Sequence, residues 1–201
     1  DTPKGKLSSL WCLKIKKHEL LLAPSSAQDF PVNAAGDGSL SPRLSLEKIM
    51  KAIIWTRYGS PDGLHLREVE KPTPKDNEVL IKIHAATAAT PDTEFRRLKL
   101  PPLYVIPLRL YIGFIKPTRV TILGTEFAGE IEATGKDVTA YKPGDQVFGY
   151  TGLNMGTYAE YICLTQKPSG MSGVIGNKPV NLTYEEAAAV PFGGLEALHS
   201  L

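Results

Sequence analysis

The sequence predicts a mainly β fold, a small barrel or sandwich with a few short helices. Three observations lead there. Between residues 50 and 164, short runs of alternating apolar and polar residues recur. Gly- and Pro-containing clusters such as 58–63 and 142–145 separate these runs. Clear helical patterning waits until a capping box at Thr183–Glu186.

Residues 1–49 differ from the rest. Ser, Pro, Gly and Asp cluster in 23–43, and neither strand nor helix period persists there. The chain starts at Asp1, whereas Met50 opens ordered-looking sequence. The expectation is a disordered leader or non-native extension over 1–49, with Met50 as the natural start. Residues 51–55 are β-prone, 58–63 form a turn, and 64–69 alternate. Pro72 and Pro74 interrupt the pattern. In 78–86, Val79, Ile81, Ile83 and Ala85 share one strand face, with Lys82 and His84 on the other.

Residues 91–98 suit a short helix with Pro91 in its first turn. The stretch 98–117 is apolar and basic. Pro101, Pro102 and Pro107 argue against one straight helix through its first half, while 108–115 can form a short one. Strands follow at 127–133, 146–150 and 157–164, and 166–177 reads as a Gly/Ser-rich loop. A helix runs from the capping box to Pro191, and 194–201 opens another.

Composition narrows the function. Hydrophobic residues make up 42% and charged residues 22%, which fits a globular chain with a core. The net charge of +2 implies neither a nucleic-acid nor a membrane partner. No run is long enough to span a bilayer. Two cysteines, Cys12 and Cys163, cannot build a disulfide framework or a zinc knuckle, so a reduced, cytoplasmic protein is expected. Cys163 lies in an apolar run and reads as a small buried hydrophobe. His18, His65, His84 and His199 form no ligand pair, and His84 reads as a solvated side chain. Gly36-Asp37-Gly38 lacks the third glycine of a dinucleotide fingerprint, and Gly170, Gly173 and Gly176 have the wrong spacing. There is no nucleophile elbow.

The strongest signal is the stretch 121–162. Gly124-Thr125-Glu126 precedes a Gly-punctuated strand, a Lys142-Pro143-Gly144-Asp145 turn, and a second strand region with Ala159-Glu160-Tyr161. With 50–59, 72–86 and 181–201, this order resembles the GroES-like catalytic domain of the medium-chain dehydrogenase/reductase superfamily, in its zinc-independent, quinone oxidoreductase-like branch. The resemblance covers residues 50–201. It implies a GroES-like, partly open β-barrel over 50–182. It also implies a helical connection over 183–201 toward a nucleotide-binding domain beyond this chain.

The implied chemistry is hydride transfer from NADPH or NADH to a quinone or an activated carbonyl or alkene. Thr90 and Thr125 stand where zinc-dependent relatives have Cys and His ligands, so no zinc is expected. Thr87, Thr125 and Glu196 are the candidate cofactor-binding residues, and Thr90 and Tyr150 the substrate-binding ones. No catalytic residue is assigned. Asp92 is placed as a turn-holding residue. Ala89, where many relatives have Asn, and Glu196, where Thr is common, depart from the family pattern. The resemblance further implies a small-molecule substrate, a homodimer when full length, and inactivity of these 201 residues alone. An alternative is a non-catalytic GroES-like interaction module or the product of a degraded gene. Residues 98–116 suit either an apolar wall over a substrate cleft or a surface lying on lipid.

Overall fold

The computed structural model describes residues 11–14, 48–167 and 173–201. Its elements in chain order are strands β1 (Trp11–Lys14), β2 (Ile49–Trp55), β3 (Leu64–Glu70) and β4 (Glu78–Ala88), then helices α1 (Thr90–Arg97) and α2 (Pro102–Ile112). Strands β5 (Glu126–Thr134), β6 (Gln146–Tyr150), β7 (Tyr161–Thr165) and β8 (Val174–Asn177) follow, then helices α3 (Tyr184–Ala188) and α4 (Pro191–His199). The fold is mostly β with short helices, as the alternating runs require.

Strands β1, β4, β5, β6 and β8 lie in that order in one sheet, and β7 also pairs with β4. All pairings are antiparallel. β2 and β3 form a separate hairpin, in register from Ile49 opposite Glu70 to Trp55 opposite Leu64. Ser60 caps its turn by accepting from the Asp62 amide. The hairpin is tied to the main sheet's loops, with Ile53 N–H donating to the Tyr158 carbonyl at 2.8 Å and Trp55 N–H to the Thr121 carbonyl at 2.7 Å. The sheet curls into a partly open barrel. Trp55, Val79, Ile81, Phe127, Ile131 and Val147 fill its interior, joined by Ile112, Leu123 and Met155. Side chains of this size contribute about 1.5–3 kcal/mol each when fully buried.

The main sheet has a second buried face. Ala85 and Ala128 meet Ala187 and Ala188 of α3 there. The period-2 reading placed Ala85 with Ile83, but the β4–β5 register shifts between them. This bulge sends Ala85 to the α3 side and Ala86 into the barrel. The small side chains let α3 approach closely. Thr183 caps α3 as expected, accepting from the Glu186 N–H at 3.2 Å, while Glu186 accepts from the Thr183 N–H at 2.9 Å.

Several sequence expectations give way. Within the expected disordered leader, Trp11–Lys14 pair with Ala85–Ala88 of β4; residues 1–10 and 15–47 lie outside the described residues. The expected loop over 166–177 contains β8, which completes the sheet by pairing with β6. α2 runs from Pro102 through Pro107 to Ile112, earlier than the expected 108–115. Pro102 suits the first helical position, and the exposed flank at Pro107 lets water satisfy the carbonyl that loses its N–H partner. In the strand expected over 157–164, Tyr158–Glu160 instead bridge to the hairpin, Thr157 N–H donates to the Gly124 carbonyl, and the regular ladder with β4 begins at Tyr161. His84 is half-buried and stacks on Tyr184 at 4.5 Å, rather than standing free in solvent.

Candidate functional site

Six segments converge at one end of the barrel. They are the end of β4, the turn into α1, the start of β5, the end of β6, the segment at Thr157–Tyr158, and the start of α4. Glu126, the first residue of β5, joins three of them. It is 2% exposed. Its Oε2 accepts a hydrogen bond from the Thr87 hydroxyl, and its Oε1 accepts from the Phe192 N–H at 2.8 Å. Phe192 lies in the first turn of α4, where backbone N–H groups have no partner within the helix. A carboxylate is well suited to that end of a helix.

Asp92 makes the second buried polar centre. Its Oδ2 accepts from the Ala89 N–H at 2.9 Å and from the Tyr158 hydroxyl at 2.9 Å. Asp92 thus holds the turn into α1, and it also ties that turn to the segment behind the barrel. The Gly124 N–H also favours the charged carboxylate, although no full hydrogen bond reaches Oδ1, and the buried Thr157 hydroxyl has no partner among the described residues. Burial pushes the Asp92 carboxyl above its ordinary value, opposed by the Ala89 N–H and the Tyr158 hydroxyl, and the Glu126 charge adds to the rise. Burial and the Asp92 charge drive the Tyr158 phenol strongly upward. Burial also raises Tyr150, helped by Asp92 and Glu126. Both phenols are therefore held in the hydrogen-bond-donating form.

The structure gathers three of the five candidate residues. Thr87 is buried, with its hydroxyl committed to Glu126. Thr125 is buried, and its carbonyl accepts from the Thr151 N–H at 2.7 Å and the Thr151 hydroxyl at 3.1 Å. Tyr150 is half-buried, its ring 6.0 Å from that of Phe192. Thr90 and Glu196 are exposed, and neither side chain hydrogen-bonds to this group. Sequence reasoning did not single out Glu126, Tyr158 or Phe192 by themselves. A signal for Glu126 existed in its place within the otherwise small and apolar run 124–129. Phe192 acts through its backbone, which carries no side-chain signature.

As a metal centre the donor set is poor. Thr90 and Thr125 offer hydroxyls where zinc favours thiolate or imidazole, and both oxygens of Glu126 already have donors. Among the described residues, no group of three His, Cys, Asp or Glu is arranged to hold a metal ion. As a surface for a flat organic ring the site is better equipped. Tyr150 and Phe192 lie side by side, and a side-chain atom at Gly193 would meet nothing within 4 Å.

Comparison with known proteins places this geometry. The alcohol dehydrogenase GroES-like domain family matches residues 75–190. A mitochondrial NAD(P)H oxidoreductase of Dictyostelium discoideum is 32% identical over 155 residues, covering 76% of this chain and 40% of the relative. The quinone oxidoreductase of Sus scrofa is 32% identical over 145 residues, covering 72% of this chain and 38% of the relative. The solved quinone oxidoreductase from Coxiella burnetii superimposes with a TM-score of 0.63 at 32% identity, covering 77% of this chain and 44% of that one. The chain thus spans about two fifths of the length of the curated relatives it matches. By its barrel, its Gly124–Glu126 segment and these matches, the chain belongs to the alcohol dehydrogenase GroES-like domain family of the medium-chain dehydrogenase/reductase superfamily, with quinone oxidoreductases among its relatives.

Proposed function

We propose that this chain forms the substrate-side half of a zinc-independent oxidoreductase that reduces a quinone or an activated carbonyl or alkene with NADPH or NADH. The observation that carries the reading is the commitment of Glu126. Both of its oxygens serve Thr87 and Phe192, and the neighbouring Thr125 supplies no imidazole. These commitments support a site organised around a helix start and favour the zinc-independent reading.

The nicotinamide cofactor, when bound, supplies the hydride. The chain's own residues position the substrate and stabilise the charge that develops on it. Phe192 and Tyr150, their rings tilted 41° to one another, offer an aromatic wall beside the open side of Gly193. The Tyr150 hydroxyl, held protonated, donates a hydrogen bond to the substrate oxygen on which negative charge develops. Glu126 fixes the first turn of α4 relative to β4, so the wall keeps its place. The full-length protein is read as a cytoplasmic homodimer.

The test is NADPH oxidation in the presence of a soluble quinone, using the product of the coding region read past Leu201. Turnover that survives a strong chelator is expected, together with none from the 201-residue chain alone. Loss of turnover on chelation would sink the zinc-independent reading. No turnover from the longer product would favour a non-catalytic module, and robust turnover by this chain alone would overturn the two-half arrangement.

A further inference from the structure

α2 has two apolar faces. Ile112 is fully buried, and Leu108 and Tyr111 pack against the barrel core. Leu103, Ile106 and Leu110 recur at helical spacing on the other face, 79%, 64% and 72% exposed. Phe114 and Ile115 extend this strip into the turn beyond the helix, and both are exposed. A helix that is apolar all round is normally covered. A continuous apolar strip at the surface marks an interaction site.

The surrounding charge selects the partner. From residue 95 to residue 125 the chain carries Arg96, Arg97, Lys99, Arg109, Lys116 and Arg119, and no Asp or Glu. Three of these cations have internal contacts. Arg96 is buried and donates to the Gly59 carbonyl, Arg109 lies over the Tyr58 ring, and the exposed Arg119 lies over the Tyr111 ring at 4.5 Å. Arg97, Lys99, Lys116 and Arg119 are exposed at the two ends of the strip. None of the four takes part in an ion pair among the described residues. A second copy docked on this face would set these cations against their own kind, which opposes self-association. An anionic bilayer meets both features at once.

We propose that α2 and the turn at 113–116 rest on an anionic lipid surface. Leu103, Ile106, Leu110, Phe114 and Ile115 enter the boundary between headgroups and acyl chains, and the four cations sit at the level of the lipid phosphates. No helix among the described residues is long and apolar enough to cross a membrane, so the contact lies in the interface plane. The net charge of +2, which by itself implies no membrane partner, conceals this local concentration of cations.

The test is co-sedimentation of the 201-residue chain with phosphatidylcholine vesicles, with and without phosphatidylserine. Binding is expected only with phosphatidylserine, weakening as salt rises. Replacing Arg97, Lys99 and Lys116 together by Ala should weaken partitioning about a hundredfold, at about fivefold per cation. Phe114→Ser with Ile115→Ser should also release the protein while leaving its circular dichroism unchanged, because both side chains are exposed. No pelleting with phosphatidylserine, equal pelleting on both vesicles, or binding that survives both sets of substitutions would overturn the proposal. So would a dimer in light scattering that the Phe114 and Ile115 substitutions dissociate. Loss of lipid binding in the product of the coding region read past Leu201 would overturn it too, by showing the face covered.

Discussion

Glu126 joins β4, β5 and α4 through a single carboxylate. Glu126→Ala strands the Thr87 hydroxyl and the Phe192 N–H, and should cost about 2–4 kcal/mol in urea unfolding. Glu126→Gln keeps one acceptor and should cost about half as much. Asp92 carries a pH dependence whose sign follows from its raised carboxyl. The folded state binds the proton more tightly than the unfolded chain. Stability should therefore fall as pH rises from the ordinary carboxylate value to the raised folded one, and stay low above it. Asp92→Asn should flatten that slope while its amide oxygen still accepts from Ala89 and Tyr158. At Cys163, burial and the Glu78 charge push the thiol up to about 11. Alkylation of its peptide, followed by mass spectrometry, should be slow at neutral pH and rise about tenfold per pH unit until that value. Cys163 is half-buried rather than fully buried as its apolar run suggested, and its Glu78 neighbour was not visible in the sequence. Thr87, Glu126 and Phe192 are far apart in the chain, and only the sheet register and the α4 position bring them together.

Two glycines separate backbone strain from packing at the scale of the element. Gly144 adopts φ +91 in the turn between β5 and β6, with nothing within 4 Å of an added side-chain carbon. Gly144→Ala should cost only the left-handed strain, about 1–2 kcal/mol. Gly124 has a similar φ of +92, but the same carbon would lie 2.2 Å from the Thr157 hydroxyl and 2.5 Å from the Tyr158 ring. Gly124→Ala should cost clearly more and loosen the Asp92–Tyr158 contact, as seen in thermal melts of the pair of variants. The turn at Gly144 was readable because Lys-Pro-Gly-Asp chemistry is local. The strand alternation of β4 was readable up to Ile83, where the bulge reverses it. β8 was hidden because four residues, Val174–Asn177, carry too short a pattern to stand out from a Gly-rich loop. α2 was misplaced because proline rules assume a buried or continuing helix, and Pro107 faces outward.

For the whole molecule, Trp11–Lys14 extend the main sheet beyond β4. β1 covers the part of the β4 edge that β7 leaves free, pairing with Ala85–Ala88 beside the candidate site. A chain begun at Met50 should lose hydrogen-exchange protection at 85–88 and about 1–3 kcal/mol of stability, on the scale of the few backbone hydrogen bonds removed. Unchanged protection would make the preceding arm an accessory to the barrel. The outward strip of α2 is also a property of the whole molecule. Sequence alone makes a lipid surface the weaker reading beside a cleft wall, because a list of apolar residues does not say which are already packed.

The sequence by itself determined the β-rich class, the family resemblance and the α3 capping box. These depend on local periodicity, turn chemistry and residue type, which survive without knowledge of the fold. Only the tertiary structure decided that Glu126 and Asp92 are buried and partnered, that Thr90 and Glu196 stand in solvent, that Ala85 faces α3, and that α2 exposes a second apolar face. Each depends on which segments meet across the sheet, and contacts between residues distant in the chain leave no periodic trace in a single sequence.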